Sequence, residues 1–401
     1  MMKPTIYLDH AATTPLDARV LESMLPYMTE SYGNASSVHR LGRQARGAVE
    51  DSREKVAAML GAEPSEIVFT SGGTEANNLA IVGTMMQGGA IVTSEVEHEA
   101  VLEPVSWLSS RGCEVRYVPV CADATVDPDV LSVELNSVER QRCLVSLMHI
   151  NNEVGSVNDI GRLADAAHTH NAYLHSDAVQ SVGLLDVDVQ SLGVDLLSMS
   201  AHKLYGPKGV GALYVRSGIE MERQNRGGSQ ERSRRAGTEN VAGIVGFSRA
   251  LEIAVAERSQ RRERLSKLRD LLTELLLNVS GSRFVLNSGA VDDRLAPHIV
   301  NVSVRRDDGL PFDGEMLLLN MDMEGVSVSS GSACSSGTVR PSHVLEALGR
   351  SRGDAGAAVR FSLGKDTSRA DVESAVDRLR RVVERMHDMP GATSEKRDAR
   401  V

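Results

Sequence analysis

The sequence lacks most features of secreted and membrane-embedded proteins. It has only four cysteines, at 113, 121, 143 and 334, with no Cys-X-X-Cys pair, which argues against a disulfide framework or a zinc site. No window approaches the roughly eighteen unbroken apolar residues of a membrane span, and Met1-Met2-Lys3-Pro4 does not begin a signal peptide. These absences predict a cytoplasmic protein with free thiols.

The chain has no excess of positive charge, since acidic residues outnumber basic ones by 54 to 44. The formal net charge is −10, which argues against nucleic-acid binding. The basic run from Arg223 to Arg235 is interrupted by glycines, so we interpret it as a phosphate-binding or subunit-contact loop. With 401 residues, 41% hydrophobic and 24% charged, the chain has an ordinary globular composition and enough length for two domains.

Short apolar runs alternate with helical patterns over the first half of the chain. They lie at 66–70, 89–93, 114–118, 143–147 and 173–175, and they predict a mostly parallel sheet flanked by helices. Beyond Val241 the pattern changes to a long amphipathic helix at 241–278, strands near 298–304 and 357–363, and a helix at 369–386. This indicates a smaller α+β domain, and we expect the charged tail at 388–401 to be disordered.

The stretch Ser200-Ala201-His202-Lys203, followed by Leu-Tyr-Gly-Pro-Lys-Gly, is the most informative motif. A lysine at a strand end among hydroxyl, imidazole and glycine backbone groups suits a Schiff base beside a phosphate site. Alone, Lys203 would be interpreted as a solvated surface charge. Asp177, however, ends another apolar run upstream, where a pyridinium nitrogen requires a carboxylate. Together the two residues predict a pyridoxal phosphate (PLP) site.

A second motif, Thr-Ser-Gly-Gly-Thr-Glu-Ala-Asn at 70–77, follows a strand and begins a helix. Gly73 and Thr74 would lie at the helix N-terminus, where free N–H groups and the helix dipole favour an anion. An ordinary N-cap explains the motif equally well, and it lacks the spacing of a Walker A loop. Combined with Ser200 and His202, it predicts the second wall of a phosphate site.

Polar residues follow other predicted strands. His98 is either an exposed loop residue or, in a PLP site, a ring that stacks on the pyridine and moves protons. Asn152 either forms a turn or contacts substrate or cofactor. Gln180, three residues past Asp177, would begin the next helix and is otherwise interpreted as a solvated side chain.

Two residues of the predicted small domain have reactive chemistry. Cys334 lies among glycine, serine and alanine, which give the mobility and exposure that a travelling thiol requires, although a buried inert cysteine remains an alternative. Arg360 lies in the apolar run 358–364 and needs an anionic partner. That partner is either a substrate carboxylate or an internal Asp or Glu.

The chain resembles cysteine desulfurases of the NifS/IscS type, in the class-V branch of the PLP-dependent aminotransferase superfamily. The resemblance covers nearly the whole chain except the tail, and the motifs that carry it lie at 7–14, 33–37, 200–209, 227–231, 235–240, 329–334 and 362–364. It implies an aspartate aminotransferase-like fold, with a large domain at 14–259. Residues 1–13 and 260–387 would form a small domain that carries a mobile cysteine loop.

The resemblance also implies a role for each matching residue. Lys203 binds PLP covalently, His98 stacks on its ring as an acid/base, and Cys334 is the nucleophile that becomes a persulfide. The implied cofactor contacts are Gly73, Thr74, His98, Asn152, Asp177, Gln180, Ser200, His202, Lys203 and, from the second subunit of a homodimer, Thr238. The implied substrate contacts are Asn34, Asn152 and Arg360.

The implied reaction converts L-cysteine to L-alanine and transfers the sulfur from Cys334 to an iron–sulfur scaffold or another acceptor, for cluster assembly or tRNA thiolation. Cys334 would contact a partner's iron–sulfur cluster transiently, with no other metal, no nucleic acid and no membrane involved. A selenocysteine lyase would share Lys203, Asp177 and His98 and differ in substrate discrimination. A class-V aminotransferase would have no need of Cys334.

Overall fold

The computed structural model describes residues 5–139, 142–279, 284–289, 294–306, 309–331 and 341–388. The strands in these ranges are β1 (Ile6–Tyr7), β2 (Ile67–Thr70), β3 (Ala90–Ser94), β4 (Glu114–Val118), β5 (Cys143–Ser146), β6 (Tyr173–Asp177), β7 (Leu196–Ser200), β8 (Gly211–Val215), β9 (Phe284–Leu286), β10 (Ile299–Val304), β11 (Val326–Ser327) and β12 (Ala358–Ser362). The helices are α1 (Ala18–Thr29), α2 (Arg40–Leu60), α3 (Gly73–Met85), α4 (Glu99–Ser109), α5 (Pro128–Asn136), α6 (Ile160–Thr169), α7 (Val189–Leu192), α8 (Val241–Val279), α9 (Gly314–Met323), α10 (His343–Ala347), α11 (Arg352–Gly356) and α12 (Arg369–Asp388).

A seven-stranded sheet in the order β2-β8-β7-β6-β5-β3-β4 forms the centre of the larger part. Only β8 is antiparallel to its neighbours β2 and β7 among the pairs in this described sheet. β2, β3, β5, β7 and β8 are buried along their whole length, which explains their near-continuous apolar sequences. Because β2, β3, β5, β6 and β7 run in one direction, the residues that follow them meet at one edge of the sheet.

The smaller part contains a three-stranded antiparallel sheet, β12-β10-β9, and a parallel pair of β1 with β11. The N-terminal strand thus pairs with a strand more than 300 residues later, through Ile6 and Val326. Ile6 and Leu8 share a hydrophobic core with residues from Leu265 onward, whereas the core of the large sheet ends at Ile253. The two cores therefore divide along α8, and we propose that the domains divide there.

The structure confirms the predicted α/β fold. Each of the five apolar runs forms a strand within two residues of its expected bounds, and the helices predicted at 241–278 and 369–386 are α8 and α12. β8, the antiparallel strand that lies between β7 and β2, was not predicted from the sequence. Of the tail at 388–401, Asp388 is the last residue of α12, and residues 389–401 lie outside the described residues. None of the helices that the structure describes has the length and apolarity needed to cross a bilayer.

Candidate active site

A cavity of about 480 Å³ opens at the edge where the parallel strands end. A second cavity, of about 390 Å³, shares Ala12, Gly73, Thr74, Ser200 and His202 with it. The residues predicted for the site that line the first cavity are Gly73, Thr74, His98, Asn152, Asp177, Gln180, Ser200, His202, Lys203 and Arg360. The structure therefore brings together residues that are up to 287 positions apart in sequence, from Gly73 to Arg360.

The N-terminus of α3 forms one end of the cavity. The first intrahelical bond runs from Ala76 N–H to the Gly72 carbonyl, so the amides before Ala76 are outside the helical ladder. A Cβ at Gly73 would lie 2.7 Å from Cγ2 of Val179, so only glycine keeps this approach open. The exposed amides, the helix dipole and the Ser200 hydroxyl make this end suitable for a phosphate.

His202 completes the anion-binding end. Its Nδ1 lies 3.1 Å from the Thr13 hydroxyl. Burial, followed by the charges of Lys203 and Lys208, lowers the His202 pKa to about 4, so the ring is neutral near pH 7. A neutral imidazole contributes a hydrogen bond to a phosphate, and Lys208, which lines the second cavity, contributes positive charge.

Lys203 lies in a single turn of helix immediately after β7. Its Nζ donates to the carbonyl oxygens of Ala11 at 2.5 Å and Ala12 at 2.7 Å. Burial, with a smaller effect of the Arg360 charge, lowers the Lys203 pKa to about 8, although Asp9 and Asp177 oppose this shift. About a tenth of such an amine is unprotonated at pH 7, and this neutral form attacks an aldehyde.

Asp177, at the end of β6, is held by two donors. Asn77 Nδ2 donates to one carboxylate oxygen at 2.6 Å, and the Val179 N–H donates to the other at 3.0 Å. Asn77 Oδ1 is buried without a hydrogen-bond partner in the described structure. The carboxylate is thus fixed in orientation at the cavity wall, where it suits the N–H of a pyridinium ring. Gln180 donates from Nε2 to the Ala11 carbonyl at 2.9 Å, the oxygen that Lys203 also uses.

His98 is the N-cap residue of α4. Its Nδ1 accepts the Ala100 N–H at 3.0 Å, which fixes the orientation of the ring. The side chain is exposed at the cavity, which it lines, and protein packs around the rest of the ring. The His98 pKa is lowered, first by this desolvation; the Lys203 and His343 charges act in the same direction, and Asp177 and Glu99 oppose it.

Arg360 has an internal partner. Its Nη2 pairs with Asp9 Oδ1 at 2.9 Å and its Nη1 donates to the Asn152 carbonyl at 2.8 Å. The side chain is only 5% exposed, and Nε is buried without a hydrogen-bond partner in the described structure. Asp9 thus balances the guanidinium charge in the structure, and the orphaned Nε leaves capacity for a second carboxylate. The backbone of Asn152, rather than its side chain, makes the bond to Arg360.

Two predicted residues, Asn34 and Thr238, are not among the described residues that line this cavity. Asn34 is exposed, and its side chain accepts the Ser36 N–H at 2.8 Å. Thr238 is exposed in the segment before α8. Cys334 lies outside the described residues; of the other cysteines, Cys113 and Cys143 are buried and Cys121 is exposed.

The polar cavity residues that were not predicted from the sequence include Asp9, Asn77, Glu153 and His343. Asn77 is one helical turn beyond Gly73, and this spacing could have identified it because residues three and four apart share a helix face. Nothing local indicates that Asp9 meets Arg360, since 351 positions separate them.

The donor set fits pyridoxal phosphate. Four features lie around one cavity. They are the space beside Gly73 that a Cβ would fill, the fixed carboxylate of Asp177, the amine of Lys203 with its lowered pKa, and Asn77 Oδ1, which has no hydrogen-bond partner in the described structure. These groups match the phosphate, the ring nitrogen, the aldehyde and the ring substituents of that cofactor in turn.

Comparisons with known proteins agree with this geometry. The profile of the aminotransferase class-V family matches residues 6–375. A cysteine desulfurase IscS from Dictyoglomus turgidum is 46% identical over 390 residues, covering 96% of each chain. A solved NifS-like protein superposes with a TM-score of 0.86 at 35% identity, covering 95% of this chain and 99% of that one. A solved structure described as SspA in complex with cysteine has a TM-score of 0.77 at 35% identity, covering 90% and 99%. The chain therefore belongs to the class-V aminotransferase family, among the relatives of cysteine desulfurases of the NifS and IscS type.

Proposed function

We propose that the protein is a PLP-dependent cysteine desulfurase, which converts L-cysteine to L-alanine and transfers the sulfur as a protein persulfide. The observation that carries this proposal is the convergence of Lys203, Asp177, Arg360 and the α3 N-terminus on one cavity. A family relative with cysteine bound supports the substrate class.

The cofactor's residues follow from the geometry. Lys203 would hold it covalently, Asp177 would face the ring nitrogen, and the α3 amides with Ser200 and His202 would hold its phosphate. When bound, PLP supplies an electron sink that makes the substrate's Cα–H acidic. Asp177 is suited to its role because two donors fix its carboxylate toward the cavity.

Substrate recognition depends on Arg360. An amino-acid carboxylate would pair with the buried guanidinium, and this pairing competes with Asp9 for the same charge. The carboxylate end of the substrate is thereby held on the small-domain side of the cavity, while Lys203 marks the end that receives its amine. Asn152 contributes by positioning Arg360 through its carbonyl.

Lys203 also suits proton transfer. Because its pKa is about 8, the Lys203 amine is present in both its unprotonated and its protonated form near neutral pH, so it can act as a base and as an acid. The carbonyls of Ala11 and Ala12 position Nζ at the cavity wall. His98 presents the proton of Nε2, because its Nδ1 is occupied by the Ala100 N–H.

The overall reaction balances without an external oxidant. The carbon–sulfur bond of cysteine breaks, a sulfur–sulfur bond forms on the attacking protein thiol, and the protein thiol's proton is transferred to the carbon that becomes the alanine methyl. We propose Cys334 as that thiol, an iron–sulfur scaffold or tRNA-thiolation protein as acceptor, and a homodimer in which Thr238 reaches the partner's site. Asn34 as a substrate contact remains a prediction. A cytoplasmic location remains a prediction.

The test is to incubate the PLP-loaded protein with L-cysteine and to measure alanine and the cysteine that carries trapped persulfide. We expect alanine and a persulfide on Cys334, with both lost in Cys334→Ala. Cys121→Ala is the matched control, since Cys121 is an exposed free thiol that the proposal does not use. Cofactor binding without alanine would refute the desulfurase and make selenocysteine the next substrate tested.

A further inference from the structure

Asp9 and Arg360 form an ion pair in the wall of the cavity. Nη2 of Arg360 donates to Asp9 Oδ1 at 2.9 Å, and the two side chains are 5% and 19% exposed, respectively. In the part of the chain that the structure describes, this is the one hydrogen bond that the Asp9 carboxylate accepts. A ligand carboxylate that binds Arg360 therefore competes with Asp9 for the same guanidinium.

The backbone holds both partners of this pair in place. Asp9 forms a β-bridge with Ser362, two residues beyond Arg360, and its carbonyl accepts the Tyr7 hydroxyl at 3.1 Å. Arg360 lies on β12 and donates from Nη1 to the Asn152 carbonyl at 2.8 Å. A positive and a negative group thus stay side by side at this wall of the cavity.

The pair lies beside the reactive lysine. The Arg360 charge lowers the Lys203 pKa and the Asp9 charge raises it, so both charges act on the Lys203 amine. Lys203 Nζ also donates to the carbonyl of Ala11, two residues after Asp9. An amino acid whose nitrogen reaches Lys203 therefore has its own two charges next to a guanidinium and a carboxylate.

The buried carboxyl groups that line the cavity have other partners. Asp177 accepts hydrogen bonds from the Asn77 side chain and the Val179 N–H. Glu153 accepts the Ser342 hydroxyl, and burial raises the Glu153 pKa, which favours its neutral form. Asp9, whose partner is the group that a substrate carboxylate would take, is the carboxylate best placed to receive a ligand's ammonium group.

We infer that Asp9 is a specificity-determining residue, which makes the site select zwitterionic amino acids over plain carboxylates. The inference rests on the proposed function, in which Arg360 binds the substrate carboxylate. A plain carboxylate would take Arg360 and leave Asp9 as a half-buried anion without a partner, beside a second anion. A zwitterion avoids this penalty, because its ammonium group pairs with Asp9 while its carboxylate pairs with Arg360.

The experiment compares two ligands of the same shape, N,N-dimethylglycine and isovalerate. The first carries a protonated tertiary amine where the second has a C–H group, and a tertiary amine cannot form a Schiff base with PLP. Calorimetric titration of the PLP-loaded protein at pH 7 therefore measures binding without reaction. We expect wild type to bind N,N-dimethylglycine at least about tenfold more tightly than isovalerate, which is the lower end of the effect of a close charge pair.

The variant is Asp9→Asn, which keeps the shape of the side chain and removes its charge. It should bind isovalerate about tenfold more tightly than wild type does, and it should no longer prefer the zwitterion. Asp186→Asn is the control, because it removes a carboxylate that is 82% exposed and pairs with Arg258, away from the described cavity residues. A purely structural role of Asp9 would change both affinities together, and an unchanged ratio in Asp9→Asn would overturn the inference.

The wild-type comparison decides the matter even if Asp9→Asn does not fold. Equal affinities of wild type for the two ligands, or no binding of either, would also overturn the inference. The desulfurase is tested separately, because alanine release from L-cysteine does not enter these affinities. A protein that selects the zwitterion but releases no alanine would keep this inference and refute the desulfurase.

Discussion

A buried ion pair fixes the loop that precedes Thr238. Arg53 on α2 and Glu231 form two hydrogen bonds, of 2.7 and 2.9 Å, and their side chains are only 4% and 3% exposed. Glu231 also accepts the Phe69 N–H at 2.9 Å, and Arg53 donates to the Ile67 carbonyl at 2.8 Å. The Glu231 carboxylate thus connects the loop to α2 through Arg53 and to β2 through the Phe69 N–H.

We predict that Glu231→Gln destabilises the large part of the protein by about 3–5 kcal/mol. The substitution keeps the size of the side chain but leaves the Arg53 guanidinium buried without its counter-charge, which costs this amount when one partner of a buried pair is removed. Replacing both, Arg53→Met with Glu231→Leu, should recover most of the loss, because no buried charge then remains.

Urea unfolding at a fixed protein and PLP concentration measures this change, since cofactor binding and any association of chains shift apparent stability. The control is Glu263→Gln, which removes the exposed pair of Lys267 and Glu263, whose side chains are 74% and 69% exposed. That variant should unfold like wild type. A Glu231→Gln variant within about 1 kcal/mol of wild type would contradict the reasoning, because the buried charge would then be tolerated without its partner.

Three further predictions concern the site and the core. Gly73→Ala should weaken PLP retention, because the new Cβ would lie 2.7 Å from Val179; the visible absorbance of PLP that remains after dialysis measures this. Gly47→Ala, where a Cβ meets nothing within 4 Å, is the control. Burial lowers the His175 pKa from 6.5 to about 4. Below pH 6.5 the unfolded chain takes up a proton on His175 that the folded protein does not accept until about pH 4, so the stability that His175 contributes is full above pH 6.5 and is lost as the pH falls toward 4. Between pH 4 and pH 6.5, His175→Gln should therefore reduce the slope of the unfolding free energy against pH by about 1.4 kcal/mol per pH unit. A mixed dimer of one Thr238→Ala subunit and one Lys203→Ala subunit should retain half of its PLP sites only if Thr238 acts across subunits. A loss of PLP in the mixed dimer equal to the loss in the homodimers of the two variants would contradict this.

The site's location could be predicted from sequence, because its residues follow strands. Asp177, Lys203 and His98 each come directly after or at the end of an apolar run, and parallel strands bring such residues to one edge. The partner of Arg360 could not be predicted, since pairing with Asp9 depends on an N-terminal segment that crosses to the small sheet.

The proton positions on His98 and His343 were equally inaccessible from sequence. Each is set by one backbone group, the Ala100 amide and the Glu97 carbonyl, and no residue type at those positions reports it. The chemistry of a side chain can be inferred from a motif. The folded backbone, however, decides which of its atoms already has a hydrogen-bond partner.

The pairing of β1 with β11 has a consequence for synthesis on the ribosome. Ile6 emerges first, but its partner Val326 emerges some 320 residues later. The carbonyls of Ala11 and Ala12, which hold the Lys203 amine, follow directly from this strand and are anchored by Ala11 N–H to Ser362 Oγ. A nascent chain thus cannot complete this part of its active site until almost every residue has been translated.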